Sequence, residues 1–245
     1  MSLIEGKTAL VTGTNRGMGE AFVETLVERG AARVYAGIRD QNYLKHFELR
    51  FPDVVEPVLL DVTQSEHIKR VADMVDDLDI LVNNAGVVHG ATVSSEQGLS
   101  ITQEEMTVNL YGPMQLTNAL LSKLKKSSQG VIINLCSIAS MSSFSSIGPY
   151  SITKAAFHSY TQALRNDLYN TNIQVIGVYP GPTDTRMAEG FPVEKAKPRQ
   201  IAERSFAAWE AGETDVFPDQ HSESWYQIFL KHPKELEKVF GEMNR

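Results

Sequence analysis

Tyr150 and Lys154 stand four positions apart in the run Tyr150-Ser151-Ile152-Thr153-Lys154. On a helix that spacing puts a phenol and an ammonium on one face, within reach of each other. An unperturbed tyrosine titrates near ~10, and a neighbouring cation favours phenolate, so the pair predicts a Tyr150 pKa lowered toward neutrality. A phenol tuned in this way can give a proton to a nascent alkoxide or take one from an alcohol. A Tyr and a Lys at this spacing also arise by chance on surface helices, so the pair gains meaning only from its companions.

The first companion is Thr12-Gly13-Thr14-Asn15-Arg16-Gly17-Met18-Gly19, which lies between a β-branched run and a helical one. A glycine turn in that context lets the backbone approach closely and aims amides at a helix N-terminus, a site for a pyrophosphate. Gly13, Asn15, Arg16, Gly17, Met18 and Gly19 are the candidate contacts. The spacing Gly-x-x-x-Gly-x-Gly differs from the commoner Gly-x-Gly-x-x-Gly dinucleotide fingerprint. Arg39, at the end of the second predicted strand, is placed for a ribose 2′-phosphate, and Arg16 adds a second guanidinium suited to phosphate oxygens. Both favour NADP(H). The other reading, with Asp40 on the ribose hydroxyl, leads to NAD(H).

The elements that must position these groups follow from periodicity. Thr8 to Thr12, Arg33 to Ala36, Pro57 to Leu60, Ile80 to Asn83, Gly130 to Leu135 and Gln174 to Tyr179 read as short strands, apolar throughout, as in a parallel sheet covered on both faces. Met18 to Arg29 reads as a helix stopped by Gly30. Thr63-Gln64-Ser65-Glu66 and Thr102-Gln103-Glu104-Glu105 fit capping boxes, the second opening a helix toward Lys126, and a further helix covers Ser151 to Tyr169. The order βαβαβαβ predicts an α/β fold, a doubly wound parallel sheet of the Rossmann type with helices on both faces. Asn83-Asn84-Ala85-Gly86, Ser137 and Pro180-Gly181 follow the fourth, fifth and sixth strands, and strand C-terminal ends are where such sheets bind ligands.

With 245 residues, 42% hydrophobic and 22% charged, the chain is expected to form one domain over 1–245. The net charge of −7 gives no reason to expect nucleic acid or an anionic membrane as partner, which leaves a small molecule. The lone Cys136 excludes an internal disulfide and reads as a small buried hydrophobe, consistent with a reducing cytoplasm. No signal-type or membrane-spanning run is present. The histidines show no metal-ligand spacing, so no metal is expected, and His89 is a candidate pocket-wall residue.

Taken together, these motifs resemble the short-chain dehydrogenase/reductase family, in register from about Lys7 to Met187. Its cofactor turn Thr-Gly-x-x-x-Gly-x-Gly matches Thr12 to Gly19, and its Asn-Asn-Ala-Gly matches Asn83 to Gly86. The resemblance implies a catalytic set of Asn109, Ser137, Tyr150 and Lys154. It also implies that Asp61 and Val62 contact the adenine region, that Asn84, Ala85 and Gly86 line the cofactor, and that Pro180, Thr183 and Thr185 hold the nicotinamide end. The implied activity is hydride transfer between NADP(H) and a carbonyl or secondary alcohol, with Ser137 bonded to the oxygen, Tyr150 as acid/base, Lys154 binding ribose hydroxyls and lowering the Tyr150 pKa, and Asn109 supporting a water-linked proton path.

Residues 183–212 form the expected substrate-side segment, with room for a small mobile lid over 188–198, and 218–245 form a C-terminal tail in which Pro233 interrupts any long helix. A helix through Trp209 and a strand over Thr214 to Phe217 precede that tail. The helices around Thr102 to Lys126 and Ser151 to Tyr169 are expected to build a homodimer, as in many similar enzymes. A non-catalytic NADP(H)-responsive binding protein is the alternative, against which the intact Tyr150 and Lys154 argue. Reduction of a carbon–carbon double bond is a third reading, disfavoured by the close Tyr–Lys spacing.

Overall fold

The computed structural model describes residues 2–189 and 193–243. Among them, seven strands form one parallel sheet: β1 Thr8–Thr12, β2 Arg33–Ile38, β3 Val55–Leu59, β4 Ile80–Asn83, β5 Gly130–Leu135, β6 Ile173–Val178 and β7 Asp215–Val216. Their order is β3-β2-β1-β4-β5-β6-β7, the doubly wound arrangement expected. The order reverses between β1 and β4, so the turn after β1 and the Asn83–Gly86 loop after β4 flank one crevice. Sheets of this kind bind ligands there.

Each strand sends alternate residues to opposite faces, and both faces are apolar. Ala9 and Val11, Ile80 and Val82, and Val131 and Ile133 join one core with Phe22 and Leu26 of helix α1 (Gly17–Glu28) and Phe206 and Trp209 of α7 (Pro198–Ala211). Leu10, Leu81, Ile132 and Val175 join a second core. It is closed by Ile68 and Val71 of α3 (Ser65–Met74), Leu116 and Leu120 of α5 (Gly112–Leu124) and Leu164 of α6 (Gly148–Asp167). Burial on both sides explains why the strands read as unbroken apolar runs.

Both predicted capping boxes fail. Helix α3 opens at Ser65 with Gln64 as an N-cap that makes no side-chain cap bond, because the Thr63 hydroxyl is drawn instead to Asp61 Oδ1 at 2.8 Å. Helix α4 runs Gly98–Met106, so Thr102 is inside it and its hydroxyl donates back to the Gly98 carbonyl at 2.7 Å. Between α4 and α5 the same helix widens into a π turn over Thr107–Tyr111. The helix α2 (Leu44–Arg50), entered through a 3-10 turn at Gln41–Tyr43, was not anticipated, and α6 begins three residues before Ser151.

After β7 the tail forms α8 (Gln220–Lys231) and α9 (Pro233–Glu242), with Pro233 in the first turn of α9, where its missing N–H costs nothing. Asp219 and Ser222 make a reciprocal capping box at the start of α8. The two helices lay Trp225, Leu236 and Phe240 over the segment that follows β5, where Phe240 stacks on Phe144 at 3.8 Å between ring centroids. Part of the expected lid, Gly190 to Pro192, lies outside the described residues. Among the described residues no helix is long and apolar enough to cross a membrane.

Candidate active site

The glycine turn is held by Thr12, whose hydroxyl accepts from the Asn84 and Ala85 amides at 3.0 and 2.9 Å. Asn84 Nδ2 returns the contact, donating to the Thr12 and Gly13 carbonyls at 2.8 and 3.1 Å. The loops after β1 and β4 are therefore one unit. Gly13 and Gly17 have φ of 69° and 63°, which favours glycine at both. Helix α1 opens behind the extended Arg16, whose side chain makes no cap bond. Its first-turn amides face the crevice without a side-chain acceptor from that residue, and a Cβ on Gly19 would overlap the Gly13 carbonyl oxygen. A turn this tight, ending in a helix N-terminus, fits a pyrophosphate.

Thr14 ties the turn to the end of β2, its amide and hydroxyl donating to Gly37 O at 3.1 and 3.2 Å. Two residues on, Arg39 is exposed, and neither it nor Arg16 has a hydrogen bond or ion pair among the described residues. Asp40, by contrast, spends Oδ1 on the Asn42 amide at 3.0 Å and on Asn42 Nδ2 at 2.9 Å. Asp61 is likewise committed to Thr63, while Val62 is buried against Gly112.

On the other wall, Pro180 O accepts the Ile138 amide at 3.0 Å and Asp219 Oδ2 accepts the Gly181 amide at 2.8 Å, so the loop after β6 is pinned to both β5 and the tail. Thr183 is buried and bridged to Ala196. Thr185 arches over the glycine turn, its Cγ2 3.0 Å from where a Gly17 Cβ would stand. Met187 follows it to the mouth of a cleft of about 20 Å³ lined also by Met18, Asn84, Gly86, Cys136, Tyr150 and Lys154. The cleft thus joins residues expected from the glycine turn, the β4 loop and the Tyr–Lys pair. Asn15 lies half-buried in the turn itself.

Ser137 lies two residues beyond the end of β5 and caps the short turn that follows, its Oγ accepting from the Ala139 amide at 3.1 Å. The same side chain neighbours the Tyr150 phenol and favours its ionised form. Asn109, in the π turn, pairs with both backbone groups of Val87, at 2.8 and 2.9 Å, and donates to Thr153 Oγ1 at 3.0 Å. An extra residue per turn is what aims this side chain across at the β4 loop.

The expectation of a Tyr150 pKa lowered by Lys154 needs correction. Burial pushes the phenol well above its ordinary value, and Ser137 opposes that only in part. Lys154 is 4% exposed, its Nζ donates to the Leu135 carbonyl at 2.7 Å, and it lies 5.6 Å from the Tyr150 ring centroid. Burial pushes its own pKa down to about 8. Desolvation acts on both members of the pair and is invisible in their spacing. Cys136 is buried, as expected, and its thiol is pushed up to about 11.

Sequence reasoning missed Glu105, a buried carboxylate one turn before Asn109 that holds the His89 amide at 2.6 Å. Its only signal was a charged residue on the inward side of a helix. It also missed Phe217 and Tyr226, stacked at 3.7 Å between centroids, which pack with Tyr150 in the tail's aromatic cluster.

Comparison with known proteins places these features in a wider group. The family model described as short chain dehydrogenase matches residues 7–195. An uncharacterized oxidoreductase of Staphylococcus saprophyticus is 32% identical over 84% of this chain and 92% of its own length. A short chain dehydrogenase from Burkholderia cenocepacia, solved in complex with NADP, superposes with a TM-score of 0.91 at 33% identity, covering 98% of this chain and 99% of that one. That coverage takes in the tail helices. A gluconate 5-dehydrogenase from the same organism, solved with NADP and tartrate, gives 0.80 at 25% identity over 90% and 96% of the two chains.

Proposed function

The chain is an oxidoreductase that belongs to the short-chain dehydrogenase family, and from that premise we propose that it interconverts a carbonyl and a secondary alcohol using NADP(H), with Tyr150 as the proton-transferring group. The observation that carries the reading is the convergence of Met18, Asn84, Gly86, Tyr150 and Lys154 on one cleft at the strand ends. A regulator that only sensed the cofactor would have no use for a phenol and a buried ammonium paired there.

The glycine turn Gly13 to Gly19, with Asp61, Val62, Asn84 to Gly86, Pro180, Thr183 and Thr185, is assigned to holding the dinucleotide. When bound, the reduced nicotinamide supplies the hydride for the carbonyl carbon. Ser137 donates a hydrogen bond to the carbonyl oxygen, strengthening as negative charge gathers on it. Tyr150 then gives that oxygen its proton. Burial raises the phenol and so keeps the proton in place until an alkoxide demands it. In the reverse direction the phenolate needs a counter-charge, which the Lys154 ammonium provides beside the ring. Lys154 is also assigned to the ribose hydroxyls. Asn109, its amide fixed on Val87 and Thr153, is assigned to positioning a water-linked proton path behind it.

NADP(H) is preferred over NAD(H) because Arg39 and Arg16 are uncommitted while Asp40 is spent on Asn42. Arg39→Ala is expected to weaken NADPH binding by about tenfold, the scale of one charge-assisted hydrogen bond, and to leave NADH binding nearly unchanged. Fluorescence titration of both cofactors checks this, and an equal loss for the two would remove the phosphate role.

The reading includes a homodimer through α4, the π turn after it, α5 and α6, where Tyr111 of the π turn and Ile152 of α6 are exposed. Sedimentation should give twice the chain mass, and a monomer independent of concentration would contradict it. Turnover itself is tested by NADPH consumption, with NADH in parallel, across ketones and aldehydes. Tight NADPH binding with no turnover over the whole panel would favour the binding-protein alternative.

A further inference from the structure

We propose that Phe217 and Tyr226 form an aromatic shelf on the side of the cleft away from the glycine turn, and that it selects flat, uncharged aryl ketones and aldehydes over polyhydroxylated carbonyl compounds. The inference deepens the oxidoreductase reading and rests on it for the carbonyl held at Tyr150.

The sheet sets the placement. Leu135 pairs with Val178 and Val178 with Val216, so the residues that follow these three strands, Cys136, Tyr179 and Phe217, stand side by side at the C-terminal edge. Cys136 lines the cleft together with Tyr150 and Lys154. Tyr179 shares a buried cluster with Cys136, and its ring stacks on Phe217 at 5.0 Å between centroids. The Tyr226 ring of α8 lies on Phe217 in turn, at 3.7 Å and 14° from parallel. The glycine turn follows β1 and the sheet runs β1-β4-β5-β6-β7, so this row extends the cleft wall in the direction opposite to the cofactor turn.

The inner end of the row is fixed. Tyr179 is fully buried, and its hydroxyl donates to Asp215 Oδ1 at 3.1 Å and lies 2.7 Å from His158 Nδ1. Arg165 holds the same Asp215 oxygen at 2.9 Å. A Cβ on Gly177 would stand 2.4 Å from the Tyr179 hydroxyl, so the strand leaves room for this anchor by carrying glycine there. With its polar end tied down, Tyr179 sets the plane of Phe217 before any ligand arrives, which lowers the cost of binding.

The outer end is open. Phe217, Tyr226, Met141 and Ile147 are each half-buried and pack against the same cluster as the half-buried Tyr150. Met141 and Phe217 also pack against the cluster of Cys136 and Tyr179, which makes one continuous apolar surface from the cleft to the tail. Parallel rings gain most from a further flat partner. These four side chains carry a single hydroxyl, that of Tyr226, so a sugar-like compound laid on them would give up the hydration of several hydroxyls without replacement. An aryl group gives up none.

The experiment titrates 2-acetylnaphthalene into the protein saturated with NADP+ and, in parallel, measures KM for its reduction by NADPH. Erythrulose, an open-chain trihydroxy ketone, is the comparison. The native protein is expected to bind the aryl ketone about 100-fold more tightly than erythrulose, the scale of burying unpaired hydroxyls. Tyr226→Ala is expected to weaken aryl binding and raise its KM by about tenfold, with NADPH affinity near native. Tyr226→Phe keeps the flat ring and is expected to bind as the native protein does, and Tyr226→Leu, apolar but not flat, serves if the Ala variant does not fold. No aryl binding by the native protein, erythrulose bound as tightly, or aryl binding unchanged in Tyr226→Ala would overturn the proposal. The titration needs no turnover. An aryl ketone held through Tyr226 yet never reduced would leave the shelf standing and defeat the carbonyl reading, whereas turnover confined to polyhydroxy ketones would do the reverse.

Discussion

Tyr150→Phe is expected to lower kcat by about 10²- to 10⁴-fold, the range over which a positioned general acid contributes, while thermal stability and NADPH affinity stay near native. The substitution removes one oxygen and nothing else. The ring keeps its place in the aromatic cluster with Phe217 and Tyr226, and Lys154 keeps its hydrogen bond to the Leu135 carbonyl. The phenol is half-buried on the cleft wall and its pKa is raised by desolvation, so the substitution deletes a proton donor that stands at the cleft. Steady-state kinetics beside a cofactor titration separates this from misfolding. Turnover equal to native in Tyr150→Phe would remove Tyr150 from proton transfer and move the search to another donor.

Gly19→Ala is expected to produce the second large effect, on cofactor binding. A methyl group here meets the Gly13 carbonyl oxygen and stands 2.7 Å from Asn84 Nδ2, both of them part of the bond that locks the turn to the β4 loop. Backbone cannot swing aside as a flexible side chain can, so the strain falls on the geometry of the turn itself. Overpacking of this kind costs about 1–3 kcal/mol, corresponding to about 10- to 100-fold in NADPH affinity if it is expressed there. Calorimetric titration with NADPH measures it, and circular dichroism shows whether the sheet persists. NADPH affinity equal to native would mean that the dinucleotide does not use this turn.

Much of the site could be read because its parts are local. The glycine turn, Asn83 to Gly86 and Ser137 each follow an apolar run, and a parallel sheet carries every such position to the same edge. Tyr150 and Lys154 need only one helical turn to share a face, and α6 supplies it. What the sequence hid depends on tertiary partners. Thr102 fits a capping box by composition, yet the helix extends back to Gly98, where a Cβ would collide with the Thr92 and Val93 carbonyls and only glycine packs. The π turn at Asn109 has no compositional mark, and the backbone groups of Val87 that its amide meets lie in a loop distant in sequence.

Charge state was the least legible property. Four positions between Tyr150 and Lys154 suggested attraction between cation and phenolate, whereas burial of both groups dominates and pushes each toward its neutral form. The buried Glu105 belongs to the same class: it reads as one more acid in Gln103-Glu104-Glu105, and only packing against the His89 loop separates it from its exposed neighbour. The tail shows the converse case. Pro233 correctly signalled a break, but Trp225 and Phe240 gave no hint that they would close over Phe144 beside Tyr150.

The central claim is that hydride passes between NADP(H) and a carbonyl carbon in this cleft. The most direct test incubates the native protein with NADPH carrying deuterium at the transferable position and a panel of ketones and aldehydes, then examines the products by mass spectrometry. The account predicts an alcohol bearing one deuterium on the former carbonyl carbon, formed far more slowly by Tyr150→Phe. NADPH bound tightly by the native protein, with no deuterium reaching any product, would contradict it.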